Sequence, residues 1–150
     1  MNKGLTPSLF KIASVLWVIW GLVHFLAGVM TIAQATPQAV MGIADAVNPE
    51  TLDVFYPEAA GALINQHGFN LLWIGLVTAI GGLFIWKQNR NAVLVTALIG
   101  GLTDVGYFIF MDMGGYVNFA PGTVMTIISA SAIITSFIAI FKNNEIRSTL

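Results

Sequence analysis

Cysteine is absent from the 150 residues, so disulfides, thiolate metal sites and cysteine nucleophiles are excluded, and nothing in the chain reports its redox compartment. Charge is scarce as well. Only 9% of residues are Asp, Glu, Lys or Arg, against about 25% in soluble proteins. A net charge of −1 with no basic cluster excludes the electrostatic footprint of a nucleic-acid binder. What fills the space is apolar: 57% of the chain is hydrophobic. A soluble fold of this length has no interior large enough for so much apolar surface, so lipid must cover part of it. The length fits one domain, 1–150.

Long hydrophobic runs give the fold class: an all-α membrane protein, a four-transmembrane-helix antiparallel bundle. The predicted spans cover about residues 9–33, 63–86, 92–111 and 122–141, each able to cross a hydrocarbon core of roughly 30 Å. All six cations fall on one side of them. Lys3 and Lys11 precede the first run, Lys87 and Arg90 lie between the second and third, and Lys142 and Arg147 follow the fourth. The opposite connections carry Asp45, Glu50, Asp53, Glu58 and Asp112 but no Lys or Arg. This positive-inside pattern predicts a multi-pass protein of a bacterial-type inner (cytoplasmic) membrane, with both termini cytoplasmic. The N-terminal lysines, apolar stretch and Ala33-Gln34-Ala35 also look like a secretory signal. The run 12–32 is longer than the ~7–15 residues of a signal core, so the first helix is expected to be retained.

The external segment 34–62 is too long for a structureless connection. Thr36-Pro37 reads as an N-cap and first helical proline, with a short helix over 38–47 that Asn48-Pro49 stops. A second short helix can start at Pro49-Glu50. Val40, Ile43 and Val47 share a face, which fits a cap on the bundle better than adsorption to anionic headgroups, because the segment carries four acidic residues and no cation. Short turns at 87–91 and 112–121 make spans two and three, and three and four, antiparallel neighbours. Gly21 and Gly28, Gly75, Gly81 and Gly82, Gly100, Gly101 and Gly106, and Ser129, Ala132 and Ser136 are the small residues that let helices approach closely in lipid.

Ionisable groups inside the membrane are costly and usually face the interior. His24 and Asp104 both lie roughly 18–21 Å from the cytoplasmic ends of their spans, and Asn70 comes to a similar depth, with His67 nearer the outer end. Helical spacing places Asp104 with Gly100 and Tyr107, and His67 with Asn70 and Trp73. The expectation is an outward-facing polar pocket under the external segment. Its candidate catalytic residues are His24, His67 and Asp104. Its candidate ligand-binding residues are Trp20, Asn65, Gln66, Asn70, Trp73, Thr103 and Tyr107, with Thr126 and Ser129 closing the ring. Each also has a structural alternative: Asp104 as a packing hydrogen-bond partner of His24 or Tyr107, the tryptophans as bundle or interface aromatics.

Several chemistries fit these residue types. His24, His67 and Asp104 are the donors of a two-histidine, one-carboxylate metal site, without a local motif. His24 and His67 are the axial pair of a haem b, though they differ in depth by about one turn. Met30, Met41, Met111, Met113 and Met125 give a soft, copper-like composition. Proton-coupled chemistry on a lipophilic small molecule would use the histidines as acid or base and Asp104 to set the tautomer. A non-catalytic accessory subunit, associating with a partner membrane protein or a second copy, is the main alternative; transport would require oligomerisation. In length, four-helix layout and the early Trp20-Gly21-Leu22-Val23-His24, the chain resembles small bacterial membrane proteins of the DoxX-like kind. The resemblance implies the topology and no active site. The chain lacks the arginine- and glutamate-rich helices of eicosanoid-pathway four-helix enzymes.

Overall fold

The structure, a computed structural model, describes residues 5–148, with side chains described for 6–143. Among the described residues the regular elements are all helices, with no strand: α1 (Leu5–Ala33), α2 (Thr36–Ile43), α3 (Pro49–Leu52), α4 (Glu58–Trp86), α5 (Arg90–Tyr107) and α6 (Val124–Ser148). A wide π-helical turn, Phe108–Asp112, prolongs α5, and another, Phe119–Thr123, leads into α6. Four rods are long and apolar enough to cross a membrane: Thr6–Ala33, Glu58–Trp86, Arg90–Asp112 and Phe119–Asn143. Each begins earlier or ends later than hydropathy alone predicts. α4 starts at Glu58 rather than near 63, because Pro57 caps it and Glu58-Ala59-Ala60 are good helix formers that need no lipid.

The rods form a ring in the order α1, α4, α5, α6, with α1 packed most extensively on α4 and next on α6. Both ends of the described chain lie at the same end of the bundle as the Lys87–Arg90 turn, here the terminal end; α2 and α3 lie at the other, the capped end. Lys11, Lys87, Arg90 and Lys142 sit at the terminal end, where Lys11 Nζ lies 5.4 Å from the Trp86 ring centroid. Lys3 lies outside the described residues, as does the side chain of Arg147.

The α1–α4 seam follows from small residues spaced by seven: Ser14, Gly21 and Gly28 on α1, and Gly82, Gly75 and Gly68 on α4. These pair antiparallel, in that order. A Cβ on Gly21 would come within 2.6 Å of Ala79 N and Gly75 O, and one on Gly28 would strike Leu72 N and Gly68 O. Those neighbours are backbone, so only glycine permits the approach. Ser14 Oγ closes the terminal end of the seam by donating to Gly82 O at 2.6 Å. In lipid, where burying apolar groups supplies little drive, such close contact and hydrogen bonding replace it.

Aromatic side chains of α1 fill the ring's centre. Phe10, Trp17 and Trp20 are fully buried with Ile85, Val93, Ala132 and Ala139. Trp17 fits because α5 presents Gly100, whose Cβ would lie 2.5 Å from the indole, and because Ser136 of α6 accepts its N–H at 3.3 Å.

The segment between α1 and α4 differs in detail from expectation. α2 covers Thr36–Ile43, with Ala35 as N-cap and Pro37 in the first turn, and stops before Ala44 rather than reaching Val47. Ala39 is its buried residue. Asn48 caps α3, its side chain accepting from Glu50 N at 3.1 Å. The segment is latched to the α5–α6 connection. Asn118 N donates to Asp45 Oδ1 at 2.7 Å, Asn118 Nδ2 to Asp45 O at 2.9 Å, and Ala46 N to Tyr116 O at 3.1 Å. α2 therefore lies over the capped end of the ring.

Candidate functional site

Beneath α2 is a cavity of about 270 Å³. Its walls come from one stripe of α1 (Val23, His24, Ala27, Met30, Thr31), from His67 and Leu71 of α4, from Tyr107 of α5, and from Pro121, Gly122 and Met125 at the start of α6. Gln34, just past α1, also lines it, and Gln38, Ala39, Gly42 and Ile43 of α2 form the roof. The sequence explains why space opens here. Toward the terminal end, the inward stripe of α1 carries Phe10, Trp17 and Trp20. Beyond Trp20 it continues as His24, Ala27 and Thr31, which are too small to fill the same ring. Opposite, Tyr107 can lie over α6 because residue 122 is glycine, whose Cβ would meet the phenol oxygen at 2.8 Å.

Behind the cavity's inner wall, α1 and α5 meet through polar atoms. Trp20 Nε1 donates to Asp104 Oδ2 at 2.9 Å. The indole stacks on the His24 imidazole, with centroids 3.6 Å apart and planes at 19°. His24 Nδ1 lies 2.9 Å from the Trp20 carbonyl oxygen. Because that oxygen only accepts, Nδ1 carries the proton, and in the neutral ring Nε2 keeps its lone pair. Nε2 faces Asp104 Oδ1 across 3.9 Å, beyond hydrogen-bond distance. Asp104 is 3% exposed, and Oδ1 has no hydrogen-bond partner. Ser129 of α6 is near the same carboxylate, but its hydroxyl donates to Thr126 O at 3.1 Å.

Of the residues expected in the pocket, the structure brings His24, His67 and Tyr107 together around the cavity and sets Asp104 beside His24. The other assignments are corrected. Trp20 is fully buried and holds Asp104 rather than lining the space. Asn70 accepts the Trp73 N–H at 3.2 Å on an exposed face of α4, so the two satisfy each other away from the cavity. Thr103 donates back to Ile99 O at 2.8 Å, as membrane-buried threonines commonly do. Asn65 and Gln66 are exposed on the first turns of α4. Thr126 donates to Asp112 Oδ2 at 2.9 Å, and Thr123 to Oδ1 at 2.6 Å, which anchors the start of α6.

The metal donor set is also corrected: among the described residues, no three His, Asp or Glu side chains converge as a metal ion requires. The haem pair fares no better. α1 and α4 touch backbone to backbone at Gly21–Gly75 and Gly28–Gly68, which leaves no gap between them for a macrocycle. Of the methionines, Met30 and Met125 line the cavity, while Met113 is exposed.

The sequence reading placed Ile43 on a face that caps the bundle but missed the other roof residues, Gln38, Ala39 and Gly42. The signal was present as a small–small–apolar i, i+3, i+4 face on α2, hidden by the more hydrophobic Val40–Val47 face beside it. Searches against protein-family models, curated proteins and solved structures find no match to this chain.

Proposed function

We propose that this chain is an integral protein of a bacterial-type cytoplasmic membrane, termini inside, that binds a small lipophilic molecule in the cavity beneath α2. The observation that carries the reading is the cavity itself: a mostly apolar space with a few convergent polar groups is the usual form of a small-ligand site. His24, His67 and Tyr107 orient the ligand, and the histidines are the groups able to move a proton on it. α2 serves as lid, latched through Asp45 and Asn118. Segregation of Lys11, Lys87, Arg90 and Lys142 from Asp45, Glu50, Asp53, Glu58 and Asp112 supports the orientation. An accessory role is less well supported, since Gly21, Gly28, Gly68, Gly75 and Gly82 are taken up between α1 and α4 and leave Gly106 as an open glycine on α5.

Mass spectrometry of the protein extracted gently from its membrane tests the binding. A small lipophilic species should accompany the wild type and be lost from Ala27→Phe and from Gly42→Phe, which fill the cavity from the wall and the roof. Wild-type protein that carries nothing and gains no thermal stability from any added lipophile would sink the reading. Because the chain lacks cysteine, Asp53→Cys and Gln88→Cys test orientation. An impermeant thiol reagent should label the first in intact cells and the second only after permeabilisation.

A further inference from the structure

The inner wall of the cavity has a specific hydrogen-bonding deficit. His24 Nδ1 is committed to the Trp20 carbonyl, so Nε2 is an acceptor. Asp104 Oδ1, 3.9 Å away behind that wall, has no hydrogen-bond partner, on a side chain that is 3% exposed. Ser129 donates to Thr126 O and Thr31 to Ala27 O, each within its own helix. Tyr107, on another wall, has a hydroxyl that can donate into the space.

We infer that the cavity takes a lipophilic alcohol or phenol, whose hydroxyl donates to His24 Nε2 beside Asp104 Oδ1 and accepts from Tyr107. The inference rests on the binding reading above and narrows it to a ligand class. A ketone, aldehyde, ester or ether brings only acceptors to this wall and leaves Nε2 unpaired. Unmade bonds of that kind are what discriminate ligands most strongly in a desolvated site. An ammonium group would have to lose far more hydration than a hydroxyl on entering this mostly apolar space. The space, about 270 Å³, suits a small molecule with a compact skeleton. The indole–imidazole stack keeps the His24 ring from rotating away from this orientation.

Menthol and menthone, which share a skeleton and differ in whether the oxygen carries a proton, test the inference on the full chain in lipid nanodiscs. Methyl-labelled methionine reports occupancy through Met30 and Met125. Isotope-labelled histidine gives only two imidazoles to resolve, His24 and His67. Menthol should bind at least about tenfold tighter than menthone and move the His24 Nε2 resonance, and His24→Phe should abolish the preference while menthol still shifts Met125. Equal binding of the two, with Met30 and Met125 shifted and Nε2 unmoved, overturns the inference and leaves the binding reading standing. A preference for menthone overturns it likewise. If neither compound shifts the methionines, the inference falls, and the co-purification and thermal-stability tests above decide the binding reading.

Discussion

Toward the chain termini, several polar side chains at the centre of the bundle are paired, and the unpartnered Arg90 Nε lies at the bundle's edge. Ser14 donates to Gly82 O, Trp17 to Ser136, and Thr78 to Ile74 O and Gly75 O, and aromatic rings fill the space between them. Toward α2 the same four rods enclose a cavity, and polar atoms along it stay unpaired: His24 Nε2 and Asp104 Oδ1. The α1–α4 seam is tight through both halves, so the difference arises in the stripe of α1 that faces α5 and α6. Trp17 and Trp20 close one half; Ala27 and Thr31 leave the other open. An unpaired buried polar atom costs free energy that a closed packing would avoid. A site for a ligand is therefore best sought where filling stops, and the rigid half positions it.

The largest effect should come from breaking the seam that both halves share. Gly21→Leu and Gly75→Leu place a side chain against backbone that cannot give way, since even a Cβ on Gly21 comes within 2.6 Å of Ala79 N. Each should destabilise the bundle by about 3 kcal/mol or more and yield aggregated or unfolded protein on size exclusion in detergent. Gly106→Ala is the contrast: nothing lies within 4 Å of its Cβ, and α5 should gain roughly 0.5–1 kcal/mol in thermal unfolding. Equal outcomes for Gly75 and Gly106 would mean that the seam does not hold the fold.

Next is Asp104, where the two halves meet. Asp104→Leu removes the acceptor of the Trp20 N–H and should cost about 1–3 kcal/mol, whereas Asp104→Asn keeps an amide oxygen for it and should unfold close to wild type. If Asn is as damaging as Leu, the carboxylate has a structural role beyond the Trp20 bond.

Much of the closed half was legible in the sequence. Hydropathy gave four spans, short turns gave neighbours, and Gly21 with Gly28 marked a contact face. The pairing with Gly68, Gly75 and Gly82 was visible as a seven-residue period on both helices, but which helices pair is a tertiary choice that spacing on one does not specify. The open half was legible only in part. His24, Asp104 and Tyr107 stand out because intramembrane polar residues are few. Asn70, Trp73 and Thr103 have the same composition signal, yet each finds a local hydrogen bond within its own helix. Depth and helical face cannot distinguish a polar residue satisfied by its own helix from one aimed into a space. The roof was obscure for another reason: its position depends on the Asp45–Asn118 latch, which joins residues 73 apart in sequence.

Within the closed half, Ser14→Ala removes one hydrogen bond at the terminal end of the seam without changing its shape. Interhelical bonds in membranes are worth about 0.6 kcal/mol on average, so a small decrease in unfolding temperature should be resolved in detergent. The cavity should keep its ligand, because the site lies at the other end of α1. Ligand loss from Ser14→Ala would show that the two halves are coupled more tightly than their separate packing implies.

The smallest effect on stability, and the one most specific to the open half, is expected at the latch. Asp45→Ala takes away the carboxylate that accepts from Asn118 N, while Asp45 O still accepts from Asn118 Nδ2 and Tyr116 O still accepts from Ala46 N. The bond is exposed, so water can replace the lost acceptor, and global stability should fall by less than about 0.5 kcal/mol. Local opening of α2 should rise by more than that implies, because the latch is the main tie between this eight-residue helix and the α5–α6 connection, and a helix this short has little stability of its own. Amide exchange should therefore quicken across Ala39–Ile43 and stay unchanged at Trp17 and Trp20. A ligand beneath α2 should then leave faster at nearly unchanged rate of capture, since opening, not docking, limits its escape. Exchange that quickens in both regions alike would make α2 part of the bundle's core rather than a lid over its open half.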